Sequence, residues 1–315
     1  MILRKQTRVL VQGITGKQGS FWSGKMIACG TSVAGGVNPK RAGTEHLGVP
    51  VYASARAAMD AQAFDLALMF IPPAAAKNAA LDAIEAGAKT LVVLTEHIPL
   101  QDVLFLHAAA KANGTRIIGP NTAGIVTPGE GFAGIMPADN PRIFQRGRVG
   151  VISRSGSLGT LVCLNLTRAG FGQSAFIGIG GDPIPGTSTR EALEALDRDN
   201  NTDAVVIVGE IGGTMEEEAA GYAAGMKKPV VAFIAGRLAP PHKKMGHAGA
   251  IIAGNRGTYA SKRSALEAAG VTVANMPREI AEAIRAGLAE QGPPRSEFSA
   301  TPKDGSITQR KEDRS

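Results

Sequence analysis

Aromatic residues, cysteines and long apolar runs are all scarce in this sequence. Aromatic side chains make up 4% of the 315 residues, and the two cysteines, Cys29 and Cys163, do not form a CxxC pair. Two isolated thiols in apolar or helical surroundings indicate buried, reduced cysteines. No apolar run reaches the roughly 18 residues that a membrane span needs, and no signal peptide is evident. We therefore expect no membrane partner and a cytoplasmic location, or a mature organellar form.

Charge of one sign is not concentrated anywhere along the chain. The formal net charge is +7, and only 19% of the residues are charged. A DNA-binding surface would need a basic stripe that carries base-reading side chains, and the sequence shows none. The mild positive balance favours anionic small molecules as ligands and argues against a nucleic-acid partner. No cluster of His, Cys and acidic residues predicts a metal site.

Glycine and hydrophobic residues, by contrast, are abundant, at 40 glycines and 44% hydrophobic residues. This composition is typical of α/β proteins with many tight turns. A length of 315 residues suits about two domains of roughly 150 residues each. Short apolar strands alternate with helical stretches throughout, which predicts parallel sheets.

Two places in the chain show the same order of a short apolar strand, a Gly/Ser-rich turn and a helix. The first strand lies at 8–12 and the second at 148–152. Such a turn presents backbone N–H groups to a phosphate. The repetition predicts two doubly wound domains, an N-terminal Rossmann-like domain and a flavodoxin-like second one. We place them at 1–125 and 148–290, joined by a connection at 126–147 and followed by a polar, disordered tail at 291–315.

The first turn contains Gly13, Gly16 and Gly19, a loosened version of the dinucleotide-binding glycine pattern. An NAD enzyme would normally place an acidic residue after the second strand to hold a ribose hydroxyl. This chain instead has Lys40 and Arg41 there. The basic pair leaves open an NADP-dependent reductase, coenzyme A with its 3′-phosphate, or a simple solvated turn.

His247 lies in a run of residues with very small side chains, MGHAGAI at 245–251. Small neighbours allow a bulky group to approach the ring, and a neutral imidazole is a competent nucleophile near pH 7. Charged, proline-containing or helical surroundings make the other histidines weaker candidates; these are His46, His97, His107 and His242.

From about Thr7 to Leu288 the chain resembles the α subunits of the succinyl-CoA synthetase family, the NDP-forming acyl-CoA ligases. The resemblance rests on eight ordered segments: QGITGKQG (12–19), GGVNP (35–39), TEHIP (95–99), IGPN (118–121), SRSG (153–156), GIGGDP (178–183), GEIGG (209–213) and MGHAGA (245–250).

The resemblance implies that the first domain binds coenzyme A and that the second is a phosphohistidine, ligase domain. By position in the matched segments, the CoA-binding residues are Thr15, Gly16, Lys17, Gln18, Arg41, Leu94, Thr95 and Glu96. His247 matches the histidine that is phosphorylated, and Glu210 matches the carboxylate that orients it. Ser153, Ser155 and Gly156 match the start of the helix that holds the phosphoryl group.

The family also implies a partner, because nothing in this chain predicts a nucleoside-triphosphate site. ATP or GTP with Mg²⁺ is expected on a separate β subunit with an ATP-grasp domain, in an αβ or α2β2 assembly. The resemblance thus predicts an acid–thiol ligase that is active only with this partner. The sequence leaves two alternatives open, an NADP-binding Rossmann reductase and a non-catalytic CoA-binding regulator.

Two residues depart from the succinate enzymes of the family. Thr160 replaces a tyrosine that borders the organic acid there, which leaves space and a hydroxyl donor, and Thr122 replaces a cysteine. The acid is therefore expected to be succinate or another small anionic acid, either a hydroxylated dicarboxylate or a sulfonated acid.

Overall fold

A computed structural model describes residues 1–239, 247–252 and 256–290. His247 lies within these ranges. His242 and the first two residues of the histidine segment, Met245 and Gly246, lie outside the described residues. The tail predicted at 291–315 also lies outside them, so its predicted disorder stays a prediction.

The first unit alternates strands and helices, as the sequence predicts. Its elements in chain order are β1 (Arg8–Gln12), α1 (Lys17–Ala28), β2 (Ser32–Val37), β3 (Glu45–His46), β4 (Val49–Tyr52), α2 (Ala55–Ala61), β5 (Leu66–Met69), α3 (Pro73–Glu85), β6 (Thr90–Val93), α4 (Leu100–Asn113) and β7 (Arg116–Ile118).

In the described residues the first sheet has seven strands in the order β3-β4-β2-β1-β5-β6-β7. All neighbouring pairs are parallel except β3 with β4. Without the short β3, this is the Rossmann strand order 3-2-1-4-5-6. The chain reverses its direction of winding beside β1, so the turn from β1 into α1 lies at the crevice where ligands bind in such sheets.

The second unit also alternates strands and helices, but it begins with a hairpin. Its elements are β8 (Gly124–Thr127), β9 (Gly131–Gly134), β10 (Arg146–Ser153), α5 (Gly156–Arg168), β11 (Gln173–Gly178), α6 (Thr189–Asp197), β12 (Ala204–Glu210), α7 (Met215–Ala223), β13 (Val230–Ala235), α8 (Tyr259–Ala268), β14 (Thr272–Ala274) and α9 (Ile280–Glu290).

Among the residues that the structure describes, the second sheet runs β14-β13-β12-β10-β11-β8-β9. Its five parallel strands have the flavodoxin-like order 2-1-3-4-5, with the change of winding direction beside β10. The hairpin of β8 and β9 pairs antiparallel at the edge. The segment predicted as a connection, 126–147, therefore also supplies strands to this sheet; its glycines concealed them because glycine is uncommon in strand interiors.

The hairpin also packs the two units together. The backbone N–H of Phe132 donates to Thr31 Oγ1 at 3.0 Å, and that hydroxyl donates to the carbonyl oxygen of Phe132 at 2.8 Å. The ring of Trp22 meets Phe132 edge-on with 6.4 Å between centroids. Beyond β11, the hydroxyl of Thr187 donates to Ile117 in β7 at 2.6 Å. These contacts hold the hairpin of the second unit and the loop after β11 against the first unit.

The described residues contain neither a membrane-spanning helix nor a cluster of metal-ligand side chains. None of the helices there is both long and apolar enough to cross a bilayer. No group of three or more His, Cys, Asp and Glu side chains in the same residues has the arrangement of a metal site.

Candidate functional site

The turn between β10 and α5 brings together three of the residues predicted to hold phosphate. Ser153 ends β10, Ser155 is the N-cap of α5, and Gly156 is the first residue of the helix. The Ser153 hydroxyl donates to the Ser155 carbonyl at 2.6 Å, and Ser155 Oγ accepts from the Leu158 N–H at 3.4 Å. A side chain at Gly156 would meet Ala123 Cβ at 2.8 Å. The turn is therefore tightly held at the positive end of a 13-residue helix.

Glu210 lies beside this turn because β12 is the neighbour of β10. Ser153 pairs in register with Val208, and Glu210 follows two residues later as the last residue of β12. The carboxylate is buried, with 8% of the residue exposed. One carboxylate oxygen lies 3.4 Å from Nε of Arg154, the residue between the two turn serines.

His247 contacts Glu210, the residue that the family resemblance pairs with it. Its Nδ1 lies 2.8 Å from the other oxygen of Glu210. Since an ionised carboxylate only accepts hydrogen bonds, Nδ1 carries the proton and Nε2 of the neutral ring keeps its lone pair. The hydrogen bond and charge of Glu210 raise the pKa of His247, while burial opposes this rise.

Gly181 packs against the face of the imidazole, a contact that the sequence analysis did not identify. A Cβ added to Gly181 would lie 2.6 Å from His247 Cγ and 2.7 Å from Cδ2. The Gly181 carbonyl also accepts from the Gly249 N–H at 3.0 Å. Gly181 belongs to the matched GIGGDP segment, which marks it as a residue shared with the family. No feature of that segment predicts that Gly181 contacts the histidine.

Asp182, in the GIGGDP segment, also lies in the site. It is buried and accepts from Asn121 Nδ2 at 3.0 Å. Burial raises the pKa of the Asp182 carboxyl, and the nearby charge of Glu96 raises it further. The charge of Glu96 also helps to raise the pKa of His247, so this carboxylate of the first unit acts on the histidine of the second.

The predicted phosphate loop of the first unit lies at the N-terminus of α1. Gly16 is the N-cap and makes no side-chain capping hydrogen bond, and Lys17 and Gln18 are exposed in the first turn. Gly19 is required because a Cβ there would lie 2.1 Å from the Gly13 carbonyl oxygen. Thr15 Oγ1 accepts from the Asn38 amide, which ties the loop to the end of β2. An uncapped helix start with an exposed cation fits an anionic phosphate.

The remaining residues predicted to bind CoA lie on loops at the same edge of the first sheet. Arg41 ends an exposed turn that follows β2. Leu94, Thr95 and Glu96 follow β6, and the Thr95 hydroxyl donates to the Ile71 carbonyl at 2.6 Å. These side chains therefore lie at the carboxyl ends of β2 and β6, two strands of the same parallel part of the sheet.

The two departures from the succinate enzymes have different surroundings. Thr160 is half-buried in the first turns of α5, and its hydroxyl donates to the Gly156 carbonyl at 2.8 Å. The hydroxyl donor expected to face the acid is thus engaged within the helix. Thr122 is buried, donates to the Gly178 carbonyl and accepts from the Gly124 N–H at 2.9 Å. Its hydroxyl joins β8 to β11.

Two family models match the chain. A CoA binding domain matches residues 4–97, and a CoA-ligase domain matches residues 152–272. The first match covers the loop at α1, and the second covers Glu210 and His247.

Among similar proteins is the α subunit of an ADP-forming succinate–CoA ligase from Methanothermobacter thermautotrophicus. It is 49% identical over 288 residues, which cover 91% of this chain and 97% of that one. A subunit of an ADP-forming sulfoacetate–CoA ligase from Bilophila wadsworthia is 43% identical, over 91% of this chain and 99% of the relative.

The fold is also similar to that of ATP citrate lyase from Methanothrix soehngenii, whose structure contains citrate and coenzyme A. The TM-score is 0.85 at 22% identity, over 97% of this chain. The chain spans about half of the lyase, 54% of its length. At this identity the comparison supports the two-domain α/β fold.

Proposed function

Because the chain belongs to the family of succinate–CoA ligase α subunits and is an acid–thiol ligase subunit, we propose that its His247 relays a phosphoryl group from a nucleotide to an acid. The observation that carries this proposal is the 2.8 Å hydrogen bond between His247 Nδ1 and Glu210, beside the N-terminus of α5. That arrangement leaves Nε2 as the nucleophile.

The chemistry follows from what each side chain does. Nε2 of His247 attacks the γ-phosphoryl group, and the nucleoside diphosphate leaves. Glu210 offsets the positive charge that forms on the ring. The helix start at Ser153, Ser155 and Gly156 stabilises the phosphoryl oxygens through N–H groups and the helix dipole. An acid carboxylate then takes the phosphoryl group, which restores neutral His247 and forms an acyl phosphate.

Coenzyme A is the second substrate, and its thiol displaces phosphate from the acyl phosphate to form the thioester. We assign its phosphates to Thr15, Gly16, Lys17 and Gln18. The exposed Arg41 supplies a further cation at the same edge of the sheet. The loop of Leu94, Thr95 and Glu96 borders the thiol end, which agrees with the charge effect of Glu96 on His247.

The nucleotide comes from a partner. The sequence has no G-x-x-x-x-G-K-[ST] motif, and the relatives are named as subunits. We propose a β subunit with an ATP-grasp domain that binds ATP or GTP with Mg²⁺, in an αβ or α2β2 assembly. We also propose a cytoplasmic location for the reaction.

The acid is small and anionic. The relatives include enzymes named for succinate and for sulfoacetate, at 49% and 43% identity. Both acids have a second negative group beyond the reacting carboxylate. The smaller Thr160 leaves room for a hydroxylated dicarboxylate or a sulfonated acid, and we favour one of these over succinate.

The phosphoryl relay is tested by labelling. The native β partner is copurified, the complex is incubated with ATP labelled in the γ position, and acid-labile, base-stable label on the α chain is measured. Label should appear with wild-type chain and disappear with His247→Asn. Equal labelling of both proteins would refute the assignment of His247.

The acid is tested with the same complex by CoA-dependent release of ADP or GDP over a panel of acids. A hydroxylated or sulfonated acid should give a higher kcat/KM than succinate. Efficient turnover of succinate, with no better acid in the panel, would refute the preference. The comparisons do not favour an NADP-dependent reductase or a non-catalytic CoA-binding regulator.

A further inference from the structure

Arg154 is a buried cation at the centre of the site, and the proposed reaction has no role for it so far. Only 2% of its side chain is exposed. Nε lies 3.4 Å from Oε1 of Glu210, and Nη1 donates to the Gly212 carbonyl at 3.2 Å. Nη2 packs against Gly249, where an added Cβ would lie only 2.4 Å away. One guanidinium therefore touches the end of β12, the turn that follows it and the segment that carries His247.

The contacts of Gly212 strengthen this arrangement. Its carbonyl oxygen also accepts from Lys262 Nζ at 2.9 Å, so two fully buried cations meet at one oxygen. Gly212 has a φ of +92°, and a Cβ there would lie 2.4 Å from the Ile251 N–H nitrogen. Lys262 and Arg154 thus both donate hydrogen bonds to the Gly212 carbonyl and hold this turn in place. The 247–252 segment packs directly against the same turn.

We propose that Arg154 is the positioning residue of this site: its guanidinium holds the Glu210 carboxylate and the Gly212 and Gly249 backbone so that His247 presents Nε2 for phosphorylation. This inference rests on the proposed phosphorylation of His247. A guanidinium suits the task because it offers donors in several fixed directions, whereas a lysine offers one point charge.

The charge of Arg154 matters as much as its shape. A carboxylate paired only with His247 would favour the imidazolium, which is not a nucleophile. Arg154 shares the Glu210 charge and lowers the pKa of His247, against the rise that Glu210 causes. Other charged groups of the described residues surround Glu210 and His247. Glu96 and His97 after β6 and Asp182 after β11 act on the site through their charges. Glu216 in α7 accepts from the Glu210 N–H and is paired with Lys262 in α8.

The test compares Arg154→Gln with Arg154→Lys in the αβ complex, with the rate of His247 labelling measured from pH 5.5 to 9. Arg154→Gln removes the charge, so the midpoint of the profile should move to higher pH. The rate below the midpoint should fall by about tenfold, the effect of one nearby charge. Arg154→Lys keeps the charge, so its midpoint should match wild type while its maximal rate falls.

Arg148→Gln is the matched control. Arg148 lies near the start of β10, the strand that ends just before Arg154, and it forms an ion pair with an acidic residue, Asp203, away from the site. Its profile should keep the wild-type midpoint. An unchanged midpoint in Arg154→Gln, or an equal shift in Arg148→Gln, would overturn the proposal. If Arg154→Gln does not fold, a wild-type maximal rate in Arg154→Lys would overturn it as well.

A second measurement does not depend on the phosphoryl relay. The ring nitrogens of His247 are titrated by ¹⁵N NMR in the full chain, for wild type and the three variants. Arg154→Gln should move the titration of His247 to higher pH, and Arg148→Gln should not. If wild type takes no label from ATP but this shift is present, the proposed function fails and the role of Arg154 stands. If label appears but Arg154→Gln does not shift the titration, the proposed function stands and the role of Arg154 fails.

Discussion

Gly181 offers a direct test of how closely the site holds His247. We expect Gly181→Ala to displace the imidazole, because the new Cβ would lie 2.6 Å from His247 Cγ, 2.7 Å from Cδ2 and 2.9 Å from Nδ1. Carbon atoms in contact lie about 3.5 Å apart, so the ring has to retreat by about 0.9 Å. Gly181 is not among the glycines with positive φ, so alanine fits its backbone and the effect arises from the contact alone.

A retreat of this size moves Nε2 away from its position for attack and misaligns the 2.8 Å hydrogen bond to Glu210. Misplacement of a reacting group by about 1 Å costs on the order of 100-fold in rate. We therefore expect the rate of His247 labelling from ATP in the αβ complex to fall about 100-fold, with CoA binding unchanged because the loop at α1 lies in the other unit.

Gly221→Ala is the matched control in the same unit. Gly221 lies in α7, and an added Cβ would meet nothing within 4 Å. This variant should label at the wild-type rate and gain roughly 0.5–1 kcal/mol of stability, since alanine is favoured over glycine within a helix. If Gly181→Ala labels as fast as Gly221→Ala, the close packing against the ring does not control the position of His247.

Three further variants test the roles of Glu210, Lys262 and Arg41. Glu210→Gln should lower the pKa of His247, so the pH midpoint of labelling falls while the maximal rate drops by roughly 10²–10⁴-fold. Because Glu210 raises that pKa in the folded state, the same change should reduce thermal stability most below about pH 6.5, the value for an unfolded histidine, and the part of the loss that comes from His247 should vanish as pH rises through the folded pKa. The buried Arg154 loses its counter-charge at every pH, so a pH-independent loss should remain; equal losses at pH 5.5 and pH 9 would contradict the contribution of His247. Lys262→Met leaves the buried Glu216 without its cation and should cost about 3–5 kcal/mol in urea unfolding, whereas the double variant with Glu216→Leu should recover most of the loss. Arg41→Ala should weaken CoA binding by about tenfold in calorimetry but barely change binding of 3′-dephospho-CoA, and equal losses for both ligands would argue against a contact with the 3′-phosphate.

Much of the fold could be predicted because its signals are local. The glycine turns after β1 and β10, together with the alternation of apolar strands and helices, predicted two doubly wound units. The helix predicted after the first turn is α1, which ends at Ala28. The hairpin of β8 and β9 was missed because its four glycines at positive φ, Gly124, Gly129, Gly131 and Gly134, resemble a loop in sequence.

The candidate site was predictable only in part. Glu210 and His247 were paired through the family resemblance, and the structure places them in contact. Arg154 stood inside the matched SRSG segment, yet its side chain was given no role, because nothing local shows that it turns toward β12 rather than toward solvent. Thr160 was given a role that its contacts do not support directly. Its hydroxyl was expected to be a donor for the acid, whereas in the structure it donates to the Gly156 carbonyl.

The sequence by itself determined the two strand–turn–helix openings, the class of fold and the family, since these depend on residue type and spacing within short segments. Only the tertiary structure decided which further residues surround the pair of His247 and Glu210 that the family resemblance implied. Glu210 is 37 residues away from His247 in the chain; Arg154, Gly181 and Glu96 reach the site from three other strand ends. Contacts of this kind depend on strand order and on the packing of one unit against the other, and those are properties of the whole fold.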